Sequence, residues 1–471
     1  MKTECTKHYN AFQALGRREI IADFSGGDIS SDGGGLHLRE VEKRTGILER
    51  FARCFTDHRD QKRIEHSVLS LVSQRIMGLA LGYEDLNDHD ILAGDKLLAV
   101  LVGKNDPTGS DRKCEQDKGK PLAGKSTLNR LELTPANADS THVYKKISID
   151  TDAVDDLLVD VFLESSPNVP EQIILDVDAT DDPLHGNQEG KFFHGYYKAY
   201  CYMPLYIFCG EELLCARLRT ADNDAAKGTV EELEKIVARI RRSWPRTRIV
   251  VRGDSGFCRE NIMQWCEDND VDYILGLAKN SRLKKEIKDE LEDAKNLYEC
   301  SQSASRFFKD FRYQTLDSWS RERRVVGKAE HLSKGANPRF VVTSLAPDEY
   351  DAQALYEDLY CARGDMENRI KEQQLMLFAA RTSTAKMHSN QVRLYFSSIT
   401  YVLLQAFRRL GLKGTEMSKA QCSTIRTKLL KVGAQVRITV RKVWVALAER
   451  YPYRDIYFKI QENLNKIPLY S

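Results

Sequence analysis

Two short apolar runs that each end in an aspartate constrain this chain most: Ile173-Ile174-Leu175-Asp176-Val177-Asp178 and Ile249-Val250-Val251-Arg252-Gly253-Asp254. Runs this short, rich in β-branched residues, read as buried strands rather than helices. Between them Val230, Leu233, Val237 and Ile240 form a helical stripe, with Thr229 placed to cap its start and Glu232 to reach back. The stretches 197–209 and 213–218, joined by the turn-like Gly210-Glu211-Glu212, read as an antiparallel hairpin following the first strand. A second helix is expected over about 260–269 and a fifth strand over 273–276. The order is then three antiparallel strands, helix, strand, helix, strand, a ribonuclease H-like arrangement with the first and fourth strands adjacent at the centre of a mixed five-stranded sheet. Asp178 and Asp254 would share one cleft.

The chain is too long for one ordinary core. At 471 residues it suggests roughly two to four units. Five regions are expected: a mainly helical region over 1–165, a first part of the core over 166–280, a β-rich insertion over 281–350, a second part of the core over 351–412, and a basic helical region over 413–471. Hydrophobic residues make up 42% and charged residues 30%, and no apolar run approaches the roughly 18 residues of a membrane span, so a membrane role is not expected. The polar start, 1–10, lacks the apolar core of a secretory signal. The 11 cysteines, Cys5 to Cys422, include no C-x-x-C pair and are expected reduced. A cytoplasmic protein follows as the expectation.

Net charge is only +2, but from 381 to 471 there are 17 Lys and Arg against 4 Asp and Glu. Such an excess favours phosphate contact with counterion release, or it is a solvated helical face.

Downstream, Tyr360, Arg363, Glu367, Lys371 and Gln374 recur at spacings of 3, 4, 4 and 3 and line one face of a helix. Leu359, Met366, Ile370 and Leu377 form the neighbouring apolar stripe that would anchor it to the sheet. Two strand-end aspartates and a helix-borne glutamate are what a fold must supply to hold two divalent cations roughly 3.5–4 Å apart. Asp176 competes with Asp178 for the first position, because residues two apart in a strand point to the same face.

In these motifs the chain resembles the bacterial insertion-sequence DDE transposases, specifically the group with a Y-x2-R-x3-E helix preceded by a β-strand insertion, and most closely insertion-sequence family 1380. The resemblance runs through Phe24-Ser25-Gly26-Gly27, Gly82-Tyr83-Glu84-Asp85, Asp178-Ala179-Thr180, Gly253-Asp254-Ser255-Gly256-Phe257 and 360–371. It implies that Asp178, Asp254 and Glu367 are ligands of two Mg²⁺ or Mn²⁺ ions, and that Tyr360, Arg363 and Lys371 contact phosphates flanking the cleaved bond. Trp319 is a candidate for stacking on a displaced base, or a packing residue. Where relatives often carry a second lysine seven residues after the glutamate, this chain has Gln374. The resemblance further implies that 1–165 is a DNA-binding region, with binding to terminal inverted repeats, DNA strand cleavage and strand transfer by a homodimer acting on double-stranded DNA, and a bacterial, nucleoid-associated location.

Other readings compete with this one. Gly119-Lys120-Pro121-Leu122-Ala123-Gly124-Lys125-Ser126 matches the P-loop pattern, but no apolar strand feeds it, and no ATP requirement is expected. His185 and His194 lie near the first aspartate and could move protons, or be structural. The Arg-Gly-Asp tripeptides ending at Asp254 and Asp365 suggest no adhesion role for a cytoplasmic chain. A catalytically inert transposase-derived repressor or architectural protein is the alternative from another class.

Overall fold

The computed structural model describes residues 10–470. Cys5 and the polar start 1–9 lie outside them. Two compact units form, one from 10–48, 59–131 and 406–470, the other from 49–58 and 132–405.

The second unit is built on a mixed sheet. Its strands are β1 (Gln172–Ala179), β2 (Leu205–Cys209), β3 (Glu212–Arg217), β4 (Arg248–Gly253), β5 (Asp272–Leu277), β6 (Ser305–Tyr313), β7 (Arg323–Leu332) and β8 (Arg339–Thr343), with the short Gly335–Ala336 beside β7. They lie in the order β3-β2-β1-β4-β5-β8-β7-β6. β1 and β4 pair in parallel from Gln172↔Arg248 to Val177↔Gly253. β4 and β5 are also parallel, ending at Gly253↔Leu275. The helices α1 (Thr229–Ser243) and α2 (Glu260–Asp268) provide the crossovers.

Strand alternation decides which side chains meet which layer. Ile173, Leu175, Val177, Ile249 and Val251 belong to one core with Leu233, Val237 and Ile240 of α1 and Ile262 and Met263 of α2. Ile174, Val250 and Ile274 belong to the core on the opposite face, with Leu355, Tyr356 and Leu359. Each aliphatic side chain fully removed from water there contributes about 1.5–3 kcal/mol. Asp176, Asp178, Arg252 and Asp254 continue the register of this second face, so they turn toward the segment that carries Glu367.

Several expectations change. The sheet has nine strands rather than five, because β8 pairs antiparallel with β5 from Ile274↔Thr343 to Leu277↔Phe340. The strands of 281–350 therefore extend the central sheet, and two helices, Ser281–Glu286 and Lys288–Ser301, precede them. The stretch 197–209 is broken at Met203-Pro204 into Ala199–Tyr202 and β2. Gly228, with φ of 79°, takes the cap position of α1, and Glu232 pairs with Arg217 at 3.0 Å instead of reaching back.

The first unit contains the helices Gly35–Thr45, Val68–Leu81, Lys96–Val102 and Arg454–Asn465. The basic tail is not wholly helical: Ala434–Ile438 and Val443–Leu447 form a hairpin whose first strand pairs with Ile29–Ser30. Arg437 and Lys442 lie over the half-exposed Trp444 ring at 5.9 and 5.4 Å. No helix among the described residues is long and apolar enough to cross a membrane. Among those residues the cysteines are free, with Cys114, Cys300 and Cys361 exposed.

Candidate active site

The segment bearing Glu367 is not one regular helix. It runs as a π-helical stretch over Leu355–Tyr360, a tight turn over Cys361–Arg363, the α-helix α3 over Gly364–Lys371, and a second π-helical stretch over Glu372–Met376. Such i→i+5 turns are frequent where a helix must present side chains to a site. The apolar stripe does its expected work, since Leu359, Met366, Ile370 and Leu377 are all buried.

What fixes this segment to the sheet is a buried ion pair. Arg252 of β4 donates through Nε and Nη2 to the Asp176 carboxylate at 2.5 and 2.8 Å, and through Nη1 to the Leu359 carbonyl. Both Asp176 oxygens are thus taken up by Arg252.

Asp178 stands one residue beyond the last β1–β4 pair, and so does Asp254 on β4. The Asp178 Oδ1 accepts from the Ala179 N–H at 2.9 Å, and its Oδ2 faces Arg363 Nη1 at 3.4 Å. Burial pushes the Asp178 carboxyl up to about 6, opposed by Arg363 and reinforced by Asp254 and Glu367. Asp254 Oδ1 accepts from the Gly256 N–H at 2.8 Å, a turn-capping bond that uses one oxygen only.

Tyr360 lines a cleft of about 450 Å³ with Asp254, Ser255, Gly276, Lys279, Arg339 and Arg363. Burial raises its phenol, Arg363 opposing and Asp254 adding to the effect. Gly276 makes the hydroxyl's position possible: a Cβ there would stand 2.5 Å from Tyr360 Oη and 2.9 Å from the Ser255 nitrogen.

The structure therefore brings Asp178, Asp254, Tyr360 and Arg363 to one end of the sheet. Glu367 is not gathered with them at ligand distance. It is exposed, pairs with Lys371 at 2.7 Å, and is held below the usual carboxylate range by that bond. Among the described residues no three acidic, imidazole or thiol side chains are close enough to hold a metal ion as they stand. The chemistry of the set nonetheless fits a hard divalent cation. Asp178 is pressed upward in pKa chiefly by burial, with Asp254 and Glu367 adding to it, a condition that a bound cation relieves. Gln374 donates to the Asp181 carbonyl at 2.9 Å, closing the far end of the polar stripe onto the strand-end loop.

Trp319 lies elsewhere. It is 7% exposed, packs edge-on against Tyr313 at 5.8 Å and lies beneath the Arg323 guanidinium at 5.6 Å, so its ring serves the core. At the P-loop look-alike, in the other unit, no strand precedes the loop, and the Lys125 N–H donates to Asp90 at 2.9 Å. A carboxylate sits where that motif would receive phosphate.

Four residues of the site escape sequence reasoning. Arg252 had a signal, since it stands two before Asp254 as Asp176 stands two before Asp178. Gly276, Lys279 and Arg339 had none: they meet only through the β5–β8 pairing.

The family model described as transposase DDE domain, group 1, matches residues 12–469. No curated protein matches the chain. Among solved structures, a piggyBac transposase in a synaptic complex with hairpin DNA, determined by cryo-EM, is similar over 84% of this chain and 79% of that chain, at 10% identity and a TM-score of 0.40.

Proposed function

The chain belongs to the transposase DDE domain group 1 family, a family of DNA transposases, and from its site we propose that it is the transposase of a bacterial insertion sequence, cutting DNA at terminal inverted repeats and joining the ends to a target. The observation that carries this reading is the placement of Asp178 and Asp254 at the ends of adjacent parallel strands, with Arg363 on the first and Tyr360 beside the second. We read the sheet as ribonuclease H-like, on the order β3-β2-β1-β4-β5 of its first five strands.

In this reading Asp178, Asp254 and Glu367 hold two Mg²⁺ or Mn²⁺ ions, Glu367 exchanging Lys371 for them. Bound there, the ions would supply activation of a water or 3′-hydroxyl and stabilisation of the leaving oxygen. The chain's own part is positioning. Arg363 offers a planar donor fork suited to a phosphate, and it is freed for that task once Asp178 has another partner for its charge. Tyr360 offers a hydroxyl beside Asp254, and Lys371 a second cation once Glu367 releases it. The Asp176–Arg252 pair holds the helical segment against the strand ends throughout. Pairing two DNA ends requires two such sites, which a homodimer supplies.

The test uses a duplex made from the DNA flanking the chain's own reading frame, incubated with the purified protein, Mg²⁺ or Mn²⁺ and a supercoiled target. Nicks at the ends and joined products without ATP are the expected result. Binding without cutting under either ion would instead identify an inert DNA-binding repressor or architectural protein.

A further inference from the structure

Between β1 and β2 the chain leaves the main sheet and returns, and the excursion carries an unusual set of rings. Asp182–Pro183, Phe192–His194 and Ala199–Tyr202 form a separate three-stranded sheet. Its root is firm: Cys201 and Tyr202 are buried, and the Tyr202 hydroxyl donates to the Glu189 carbonyl. Its outer part is a hairpin closed by the Lys198 N–H donating to the His194 carbonyl at 2.8 Å, with Lys198 left-handed at φ of 54°.

The hairpin's rings are not hidden. Phe193 and Tyr200 are direct cross-strand partners and meet edge to face at 5.5 Å, yet they are 50% and 51% exposed. Tyr196 at the tip is 84% exposed and stands edge-on to Tyr197 at 5.1 Å. Exposed aromatics gathered on one short, well-anchored hairpin suit a binding surface. The charge says what it binds. Residues 191–200 include Lys191, His194 and Lys198 and no Asp or Glu. Lys191 lies 5.2 Å over the Tyr200 ring, and among the described residues its ammonium donates to neutral oxygens, those of Gly186 and Asn187. Rings interleaved with two lysines, Lys191 and Lys198, that have no ion-pair partner among the described residues suit single-stranded nucleic acid, whose bases stack and whose phosphates pair. The place fits as well. The hairpin hangs from the strand end that carries Asp178, and Tyr197 lies within the field of Asp181 and Asp178.

We propose that the 191–200 hairpin stacks, through Phe193, Tyr196 and Tyr200, on bases unpaired from the duplex beside the bond held at Asp178 and Asp254. This rests on the transposase reading and adds a base-stacking element to it, in the place that the buried Trp319 does not fill.

The experiment compares cleavage of two labelled duplexes from the flanking DNA, one fully paired and one with mismatches that pre-open the bases at the cleaved position. Wild type, Tyr196→Ala, and Phe193→Ala/Tyr196→Ala/Tyr200→Ala are assayed with Mg²⁺, with circular dichroism as the folding check. Tyr196→Ala, at a tip exposed to this degree, keeps the test valid if the triple variant fails to fold. On paired DNA each lost ring should slow cutting by about tenfold, the size of one base–aromatic stack. On pre-opened DNA Tyr196→Ala should recover to within about threefold of wild type, because the cost of unpairing is already met. Equal rates for Tyr196→Ala and wild type on paired DNA, or equal losses on both duplexes, would overturn the proposal while leaving the transposase reading in place. So would a variant that lowers only the sedimenting mass, which would make the rings a contact between copies of the chain. A wild type that cuts neither duplex would overturn the transposase reading itself, and the stacking with it.

Discussion

Arg252 closes on both carboxylate oxygens of Asp176, at 2.5 and 2.8 Å, two residues upstream of Asp178 on the same face of β1. One strand thus carries two acids of different kinds: an inner one held in a buried charge pair, and an outer one that faces Arg363 at the strand end. Removing one partner of a buried pair leaves an uncompensated charge and costs about 3–5 kcal/mol. Asp176→Ala should therefore lower the urea midpoint markedly, whereas Asp178→Ala should unfold near wild type and lose cleavage. A stable Asp176→Ala beside an Asp178→Ala that still cuts would transfer the ligand role to Asp176.

Gly276 and Tyr360 should show coupled substitutions. Gly276→Ala drives a methyl against the Tyr360 hydroxyl, an overpacking worth about 1–3 kcal/mol. Tyr360→Phe in the same chain removes the atom it meets and should recover part of that loss in thermal unfolding, the remainder arising from the Ser255 backbone. Strictly additive losses would place the clash elsewhere.

Lys279 and Arg339 line the cleft without an ion-pair partner among the described residues, unlike Arg248, Arg323 and Arg324 in the same sheet. Each is expected to neutralise one DNA phosphate. Alanine at either position should reduce the slope of log affinity against log salt by about 1. An unchanged slope in both variants would exclude them from the DNA path.

The alternating pattern of the chain carried the centre of the sheet, because Ile173 to Val177 and Ile249 to Val251 have the composition of buried strands and the Leu233-to-Ile240 stripe could only be a helix between them. The edge was not legible. Pairing of Leu277 with Phe340 joins residues far apart in sequence, and local composition cannot report it, so 281–350 read as a separate insertion. Spacing likewise found the face from Tyr360 to Gln374 but not the π-helical turns over 355–360 and 372–376, whose i→i+5 bonds leave no mark in residue spacing. Trp319 had the right residue type for stacking, and only its packing under Arg323 shows where the ring goes.

Asp182 should make stability depend on pH. It is buried, its Oδ1 has no hydrogen-bond partner among the described residues, and burial raises its carboxyl to about 8, with Thr382 opposing the effect and Asp181 adding to it. The folded pKa lies above the unfolded value of about 3.9. Its contribution to stability is therefore fully present below about pH 4 and is lost as pH rises through about 8. Asp182→Asn should stabilise the protein against urea at pH 9, and the gain should shrink steadily toward pH 5. A gain independent of pH would mean that the carboxyl titrates normally.

Whether Asp178, Asp254 and Glu367 act together on a phosphodiester is decided by single-turnover cleavage of the flanking-DNA duplex with Mg²⁺ or Mn²⁺, using wild type and the three alanine variants, with DNA binding measured in the same samples. Wild type should cut at the ends, and all three variants should bind with near-wild-type affinity and fail to cut with either ion. Cutting that survives Glu367→Ala at the wild-type rate would contradict this joint action, leaving the glutamate as the surface partner of Lys371.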